Sequence, residues 1–410
     1  MNNYPTYKLG QICIIERGGS PRPIKNYLTN ADDGINWIKI GDATLSNKYI
    51  YKTAEKIKPE GLSKTRKVES GDLILSNSMS FGHPYIMRTS GCIHDGWVVF
   101  RLNKEIIDEE YLYTILTSNE VYAQFSRLAT GSTVKNLNID RIKEVVIPLP
   151  PLPTQHQIVS RIESLFAELD KAEERLRTAQ QQLKTYKQAV LKSAFESCVN
   201  VQKYLFGELM SDIRNGYSAK PTDSGDYKLL RISSVRAMNL NLCDYRFNNS
   251  SFEERDIIRE NDLLFTRYNG SVDLVGVCAC VPKLSDTYAY PDKIIRCRPK
   301  LNDTIHSKYL QYYINQGEAR DFVRSKIKTT SGQNGISGSD IKKIEIPLPP
   351  LSEQQRIVEE IESRLSQAST SSACIEEALQ QTEALRQSIL KKAFSGELVV
   401  STSSTTTKGA

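Results

Sequence analysis

Apolar side chains recur through residues 158–190 at alternating steps of four and three. Ile158, Leu165, Ala172, Ala179 and Tyr186 form one line, and Ile162, Leu169, Leu176, Leu183 and Val190 the other, with Gln, Lys, Arg and Glu between them. The spacing predicts a long helix with a coiled-coil seam. A second run keeps Ile357, Ile361, Ala368, Ile375, Ala378, Leu385 and Ile389 but places Arg364, Ser371 and Thr382 on the same lines. It predicts a partner helix with a less regular seam. Each run follows a Pro-rich hinge, which must be extended because proline fixes φ and removes amide donors. Thr154 stands three before Gln157 and Ser352 three before Gln355, so both helices are expected to open on a capping box. Ahead of each hinge, short runs of Ile, Val and Leu bounded by Gly, Asp and Asn predict strands. They are Asn36–Ile40, Asp72–Ser76 and Gly96–Leu102, then Lys228–Ser233, Asp262–Thr266 and Lys293–Arg298.

The two halves repeat. Ile147-Pro148-Leu149-Pro150-Pro151-Leu152 returns as Ile346-Pro347-Leu348-Pro349-Pro350-Leu351, and Leu191-Lys192-Ser193-Ala194-Phe195 as Leu390-Lys391-Lys392-Ala393-Phe394. Gln155, Ile158, Val159 and Ile162 match Gln354, Ile357, Val358 and Ile361, and the openings Leu9-Gly10 and Phe206-Gly207 correspond. Most of the sequence between these landmarks differs. Two copies of one module in a chain form a pseudo-dimer, suited to a two-part target or to two copies of a partner. The expected fold is α+β, with globular α/β domains over 1–146 and 201–345. Hinge-and-helix segments follow at 147–200 and 346–398, and a Ser/Thr-rich tail over 399–410 is expected to be disordered. The two helices are expected to pair antiparallel.

A length of 410 residues suggests two or three domains. The net charge of +6 permits nucleic-acid binding without demonstrating it. No apolar run approaches the ~18 residues of a membrane span, and the first residues are polar, so a cytoplasmic protein with no membrane partner is expected. The eight cysteines have no zinc-finger spacing and are expected to be buried, reduced packing residues. Cys278-Ala279-Cys280 should alternate across a strand.

Catalytic signatures are missing. There is no Walker A sequence, no G-x-G-x-x-G and no histidine pair at metal-ligand spacing. Pro291-Asp292 with the distant Asp340-Ile341-Lys342 matches a nuclease pattern only loosely, and His94-Asp95 reads as a hydrogen-bonded loop pair. The polar clusters are more informative. Ser20 and Arg22, and Asn77, Ser78, Ser80 and His83, lie in the first half, with Lys135 and Asn136 further on. Arg214 and Lys220, and Arg267, Tyr268 and Asn269, occupy matching places in the second, followed by Lys328, Thr330, Gln333 and Asn334. Arg reads guanine bidentately, Asn and Gln read adenine, and Lys, Ser and Thr hold phosphates. These residues are the candidate DNA contacts.

Two variable modules, each closed by Ile-Pro-Leu-Pro-Pro-Leu, a Gln-containing helix start and a long helix ending Leu-Lys-x-Ala-Phe, resemble the specificity subunit of type I restriction–modification systems. The resemblance covers nearly the whole chain. It implies two target-recognition domains that each read one half of a bipartite site in double-stranded DNA, with an antiparallel coiled coil setting the gap. It implies two modification subunits, which supply S-adenosylmethionine and adenine-N6 methylation, and two restriction subunits, which add ATP- and Mg-dependent translocation and cleavage. The chain itself is then not an enzyme and binds no cofactor. The alternatives are a coiled-coil adaptor that does not read DNA, or a stand-alone nuclease or methyltransferase.

Overall fold

The computed structural model describes residues 4–44, 48–77, 82–128, 138–198, 201–218, 220, 222, 224–249, 252–300, 304–330 and 332–398. The chain divides into two compact units, Met1–Arg177 with Glu376–Ala410, and Thr178–Ile375. Each unit therefore takes one part of each long helix, Leu152–Ala194 and Leu351–Ser395.

In the first unit a five-stranded sheet runs in the order Cys13–Arg17, Trp97–Leu102, Leu73–Ser76, Pro84–Met87, Tyr49–Ile50. Its strands alternate between two cores. Leu73, Leu75, Val98 and Phe100 point into one, where they meet Tyr111 and Leu112 of the helix Glu109–Leu116. Ile74, Trp97 and Val99 point into the other. A second five-stranded sheet, Leu28–Thr29, Glu55–Ile57, Ile35–Ile38, Gly91–Ile93, Arg66–Val68, carries Trp37, Ile57 and Cys92 in a small cluster of its own.

The second unit repeats the first sheet as Met210–Asn215, Ile294–Pro299, Leu263–Thr266, Cys278–Cys280. Leu263, Phe265, Ile295, Cys297 and Cys278 face one core, and Leu264, Ile294 and Ala279 the other. The Cys278-Ala279-Cys280 alternation is as expected. A three-stranded sheet, Tyr245–Asn248, Tyr227–Leu230, Tyr288–Ala289, covers the second core.

The predicted strands are present with ends shifted by one to three residues. Asn36–Ile40 becomes Ile35–Ile38, because the Asp42 carboxylate accepts the Lys39 amide at 2.8 Å and a short helix, Ile40–Thr44, starts there. Lys228–Ser233 becomes Tyr227–Leu230 followed by a 3-10 turn, Ile232–Ser234, in which the Ser234 hydroxyl donates to the Arg231 carbonyl at 2.6 Å. Asp72 and Asp262 precede their strands. Each accepts the amide three residues back, Glu69 or Arg259, at 2.8 Å, and each holds the arginine of the neighbouring strand, Arg101 at 3.2 Å and Arg298 at 2.8 Å. The repeated glycine has a physical reason as well. A Cβ on Gly10 would stand 2.8 Å from Lys143 Cβ, and one on Gly207 3.0 Å from Lys342 Cβ.

The expected capping boxes are absent. The helices begin at Leu152 and Leu351, so Thr154 and Ser352 lie inside the first turn. The Pro151 carbonyl accepts from Thr154 and Gln155, and the Pro350 carbonyl from Glu353 and Gln354. A proline ahead of the first turn and Pro153 within it cost nothing, since those amides have no partner inside a helix.

The helices pair antiparallel within each unit. Ile158, Val159 and Ile162 share a core with Ile389, Leu390, Ala393 and Phe394, and Leu191 and Phe195 share one with Ile357, Val358 and Ile361. The seam keeps Ile158, Ile162, Val190, Ile357, Ile361 and Ile389 buried, with Leu165, Leu169, Leu176, Leu183 and Ile375 half-buried. Two expectations fail. Ala172 and Tyr186 are exposed, and Glu173 and Lys187 take their places. Leu385 is 49% exposed, and the seam passes through Thr382 and Arg386 instead. A helix of 3.6 residues per turn drifts about 20° per heptad against a strict seven-residue line, so the inward face slips by one position. Arg386 exploits the slip, with its guanidinium 5.1 Å from the Phe166 ring centre and paired to Asp170 and Glu173.

Candidate nucleic-acid interface

Each domain is clamped to its hinge by the same three contacts. The Gln155 side chain is fully buried. It accepts the Asp108 amide at 2.9 Å and donates to the carbonyls of Ile106 at 2.8 Å and Pro150 at 2.7 Å. Gln354 does the same with the His306 amide and the carbonyls of Thr304 and Pro349. The Tyr111 hydroxyl donates to the Pro148 carbonyl at 2.8 Å, and the Tyr309 hydroxyl to Pro347 at 2.7 Å. Edge-on against Tyr111 lies Phe394, and against Tyr309 lies Phe195, at 5.7 and 5.5 Å between ring centres. The Leu-Lys-x-Ala-Phe end of one module's helix thus closes on the other module's domain. Burial pushes both tyrosine hydroxyls far above their ordinary pKa, so they remain donors. The tyrosines were not among the candidate residues, although the repeated Tyr111-Leu112 and Tyr309-Leu310 are visible in the sequence.

On this scaffold the polar loops leave the strands at equivalent points. Gly18 follows Cys13–Arg17 and Gly216 follows Met210–Asn215. A Cβ would stand 2.0 Å from the His94 carbonyl oxygen at Gly18 and 2.2 Å from that of Tyr290 at Gly216. Only glycine lets both chains turn there.

In the first domain Asp95 organises the loop. Its carboxylate accepts from Ser20 Oγ at 2.7 Å and Arg22 Nη2 at 3.4 Å, and its carbonyl accepts from Arg17 Nε at 3.0 Å. The Ser20 hydrogen bond, with His94 and Arg22 adding, holds the Asp95 carboxyl below its usual pKa. His94 is pushed low by burial, and its Nδ1 accepts the Gly96 amide at 2.9 Å, so the His94-Asp95 pair is a built loop. An open groove of about 920 Å³ runs beside it, edged by Arg22, Lys25 and Lys39 over an apolar floor that includes Trp37 and Ile40. Arg22 is 81% exposed. Asp95 was expected only as part of a loop pair with His94, and neither it nor the two lysines figured among the candidate DNA contacts. Asn77 is buried, and its backbone amide donates to the Gly96 carbonyl at 2.8 Å, so it shapes the loop rather than facing solvent. The amide of His83 donates to Ser76 Oγ at 3.1 Å. Ser78, Ser80, Lys135 and Asn136 lie outside the described residues.

In the second domain two sequence clusters meet. Tyr268–Asn269, Gln333–Gly335 and Lys328–Thr330 form one three-stranded sheet, with Tyr268 opposite Gly335 and Asn269 opposite Asn334. Lys328 and Gln333 are exposed on it. Asn334 is buried, with Nδ2 donating to the Gly270 carbonyl and Oδ1 accepting from Thr329, so it too is structural. The side chain of Thr330 lies outside the described residues. Arg214 is pinned to Asp212, whose carboxylate also binds the fully buried Arg296. Lys220 is exposed, and its carbonyl accepts from Asn248 Nδ2.

Among the described residues no group of three His, Cys, Asp or Glu is placed to hold a metal ion, and no helix is long and apolar enough to cross a membrane. All eight cysteines are free. Cys243 and Cys374 are exposed, contrary to the expectation of burial, while burial raises Cys92 to about 11 and Cys13 and Cys280 to about 12.

Residues 1–178 and 210–380 match the family model of the type I restriction modification DNA specificity domain. The chain is 35% identical over 382 residues to the type I restriction enzyme EcoKI specificity subunit of Escherichia coli K12, covering 87% of this chain and 79% of that one. It is 31% identical over 309 residues to the StySPI specificity subunit of Salmonella potsdam, covering 72% and 66%. A chain solved in a study of complex assembly and conformational transition of the type I R-M system superposes with a TM-score of 0.78 at 21% identity, over 96% of this chain and 98% of that one. The HsdS subunit from Thermoanaerobacter tengcongensis superposes at 0.59 with 20% identity, over 96% and 97%.

Proposed function

The chain belongs to the family of type I restriction–modification DNA specificity proteins, and from that footing we propose how its two halves divide the work. It recognises a DNA target for a complex that modifies and restricts, and is itself the recognition component rather than the catalyst. Each domain reads one half of a bipartite site through the loops that follow Gly18 and Gly216. The observation that carries this reading is the identity of the clamps against the difference of the loops. Gln155, Tyr111 and Phe394 repeat as Gln354, Tyr309 and Phe195 contact for contact, while one domain carries a cation-edged groove and the other carries a three-stranded polar sheet.

Two modification subunits then bind the repeated scaffold, one per module, and bring S-adenosylmethionine and adenine-N6 methylation to the site. Two restriction subunits supply ATP- and Mg-dependent cleavage. The complex works in the cytoplasm, where its DNA is. Ser20, Arg22, His83, Lys220, Arg267, Tyr268, Asn269, Lys328 and Gln333 are the DNA contacts, joined by Lys25 and Lys39. Asn77, Asn334 and Arg214 act behind them.

The test is a segment exchange. Residues 201–345 are replaced by those of a relative, and methylated adenines are mapped across the genome of cells carrying the complex. One half-site should change and the other remain. A change in both halves, or in neither, overturns the division of labour.

A further inference from the structure

Arg267 sits at the point where the second domain's central strand, Leu263–Thr266, runs into the polar sheet. Its backbone is held from both sides. The amide donates to the Lys293 carbonyl at 2.8 Å, and its carbonyl accepts the Ile336 amide at 3.0 Å. The guanidinium lies over the Tyr268 ring, 4.7 Å from its centre. That ring in turn closes onto Gly335, where a Cβ would stand 2.6 Å from two ring carbons. Glycine, ring and guanidinium therefore form a stack. Nη1 is steadied by the Asp292 carbonyl at 3.3 Å.

Several arginines of the second unit are spent on carboxylates, Arg214 on Asp212, Arg231 on Asp244, Arg259 on Glu254 and Arg298 on Asp262, while Arg236 and Arg320 donate to backbone carbonyls. Among the described residues, Arg267 meets no carboxylate. Toward the described residues its charge is unneutralised and the donors other than Nη1 are uncommitted, yet stacking removes the freedom that a solvated arginine loses on binding. A planar fork held in this way matches the O6 and N7 acceptors of guanine in the major groove. A phosphate contact would need charge alone. The same backbone position in the first domain is Asn77, whose amide makes the matching bond to Gly96 but whose side chain is buried. The scaffold position is shared and the reader is not.

We infer that Arg267 reads a guanine in the half-site recognised by the second domain, with Tyr268 and Gly335 as its positioning residues. The inference rests on the recognition reading above. It predicts that the half-site assigned to residues 201–345 by segment exchange contains a fixed guanine, on either strand. Arg267→Lys keeps the charge and loses the fork. In the complete complex it should relax that one position, cutting discrimination there by roughly 5- to 150-fold. The other positions, the first half-site and the salt dependence of binding should not move. Because the variant could disturb the sheet, the wild-type complex is also assayed on duplexes with 7-deazaguanine at that position, which removes the N7 acceptor alone and should weaken binding on the same scale. A half-site with no fixed guanine overturns the inference. So does full affinity for the 7-deazaguanine duplex, or an Arg267→Lys variant that loses affinity for all sequences equally. A wild-type complex with no sequence-specific methylation would instead remove the recognition reading itself, and the inference with it.

Discussion

Replacing Gln155 by Ala should uncouple the first domain from its hinge at a cost that can be worked from three contacts. The side chain is fully buried and serves the Asp108 amide and the carbonyls of Ile106 and Pro150. Alanine leaves all three backbone groups without that partner. A buried group left unsatisfied costs about 1–3 kcal/mol. The Pro150 bond is buried and the other two half-buried, so water recovers part of the loss. A total of about 3–4 kcal/mol follows, or a fall in Tm of roughly 6–16 °C for a unit of this size. Gln155→Glu sharpens the test. The carboxylate still accepts from Asp108 but faces two carbonyls with no proton to offer. Burial and those carbonyls raise its folded pKa above the unfolded value of about 4.3. Its stability is then fully present below about pH 4.3 and is lost as pH rises through the folded pKa, so the deficit against wild type should grow from pH 5 to pH 8. Thermal melts across that range, with hydrogen exchange to localise the weakened unit, provide the readout. A cost below about 1 kcal/mol for Gln155→Ala, or protection lost equally in the two units, would mean that Gln155 does not clamp the first domain. Gln354→Ala should place the same loss in the second unit.

Gly216→Ala should abolish recognition by the second domain and leave the first half-site intact in methylome mapping, because a Cβ 2.2 Å from the Tyr290 carbonyl oxygen forces the backbone to shift. The cost is about 1–3 kcal/mol, as for other overpacked sites. Native thiol titration should find Cys243 and Cys374 reacting first. Cys13, Cys92, Cys278 and Cys297 should follow only on unfolding, since burial raises each of them.

The sequence carried the architecture because the architecture is periodic and repeated. Alternation located the strands, and a seam at steps of four and three located both helices. Detail was lost where a side chain overruled the pattern. Asp42 stopped a strand that apolar residues would have continued. Pro151 began a helix earlier than the hydroxyl of Thr154 suggested. Leu385 has the right character for the seam but the wrong azimuth, and only the accumulated drift of the helix brings Arg386 inward. At the candidate interface the sequence found the loops but not their division of labour. Asn77 and Asn334 have the chemistry of base readers and are consumed by the fold. Asp95 was legible only as half of a loop pair with His94, and Tyr111 looks ordinary in sequence; both organise what surrounds them through contacts with residues far away along the chain.

The Phe394 contact has a consequence for how the protein is made. The first unit's core is completed by Ile389, Leu390, Ala393 and Phe394, which the ribosome delivers about 200 residues after the rest. At ~5–20 residues per second, that is a delay of roughly 10–40 s. The second unit is one continuous segment, Thr178–Ile375, and has all its parts first. The half synthesised earliest thus waits as an open apolar surface around Tyr111 until the last turns of the final helix emerge. That surface is where a nascent chain of this protein is most exposed to aggregation and most in need of a chaperone.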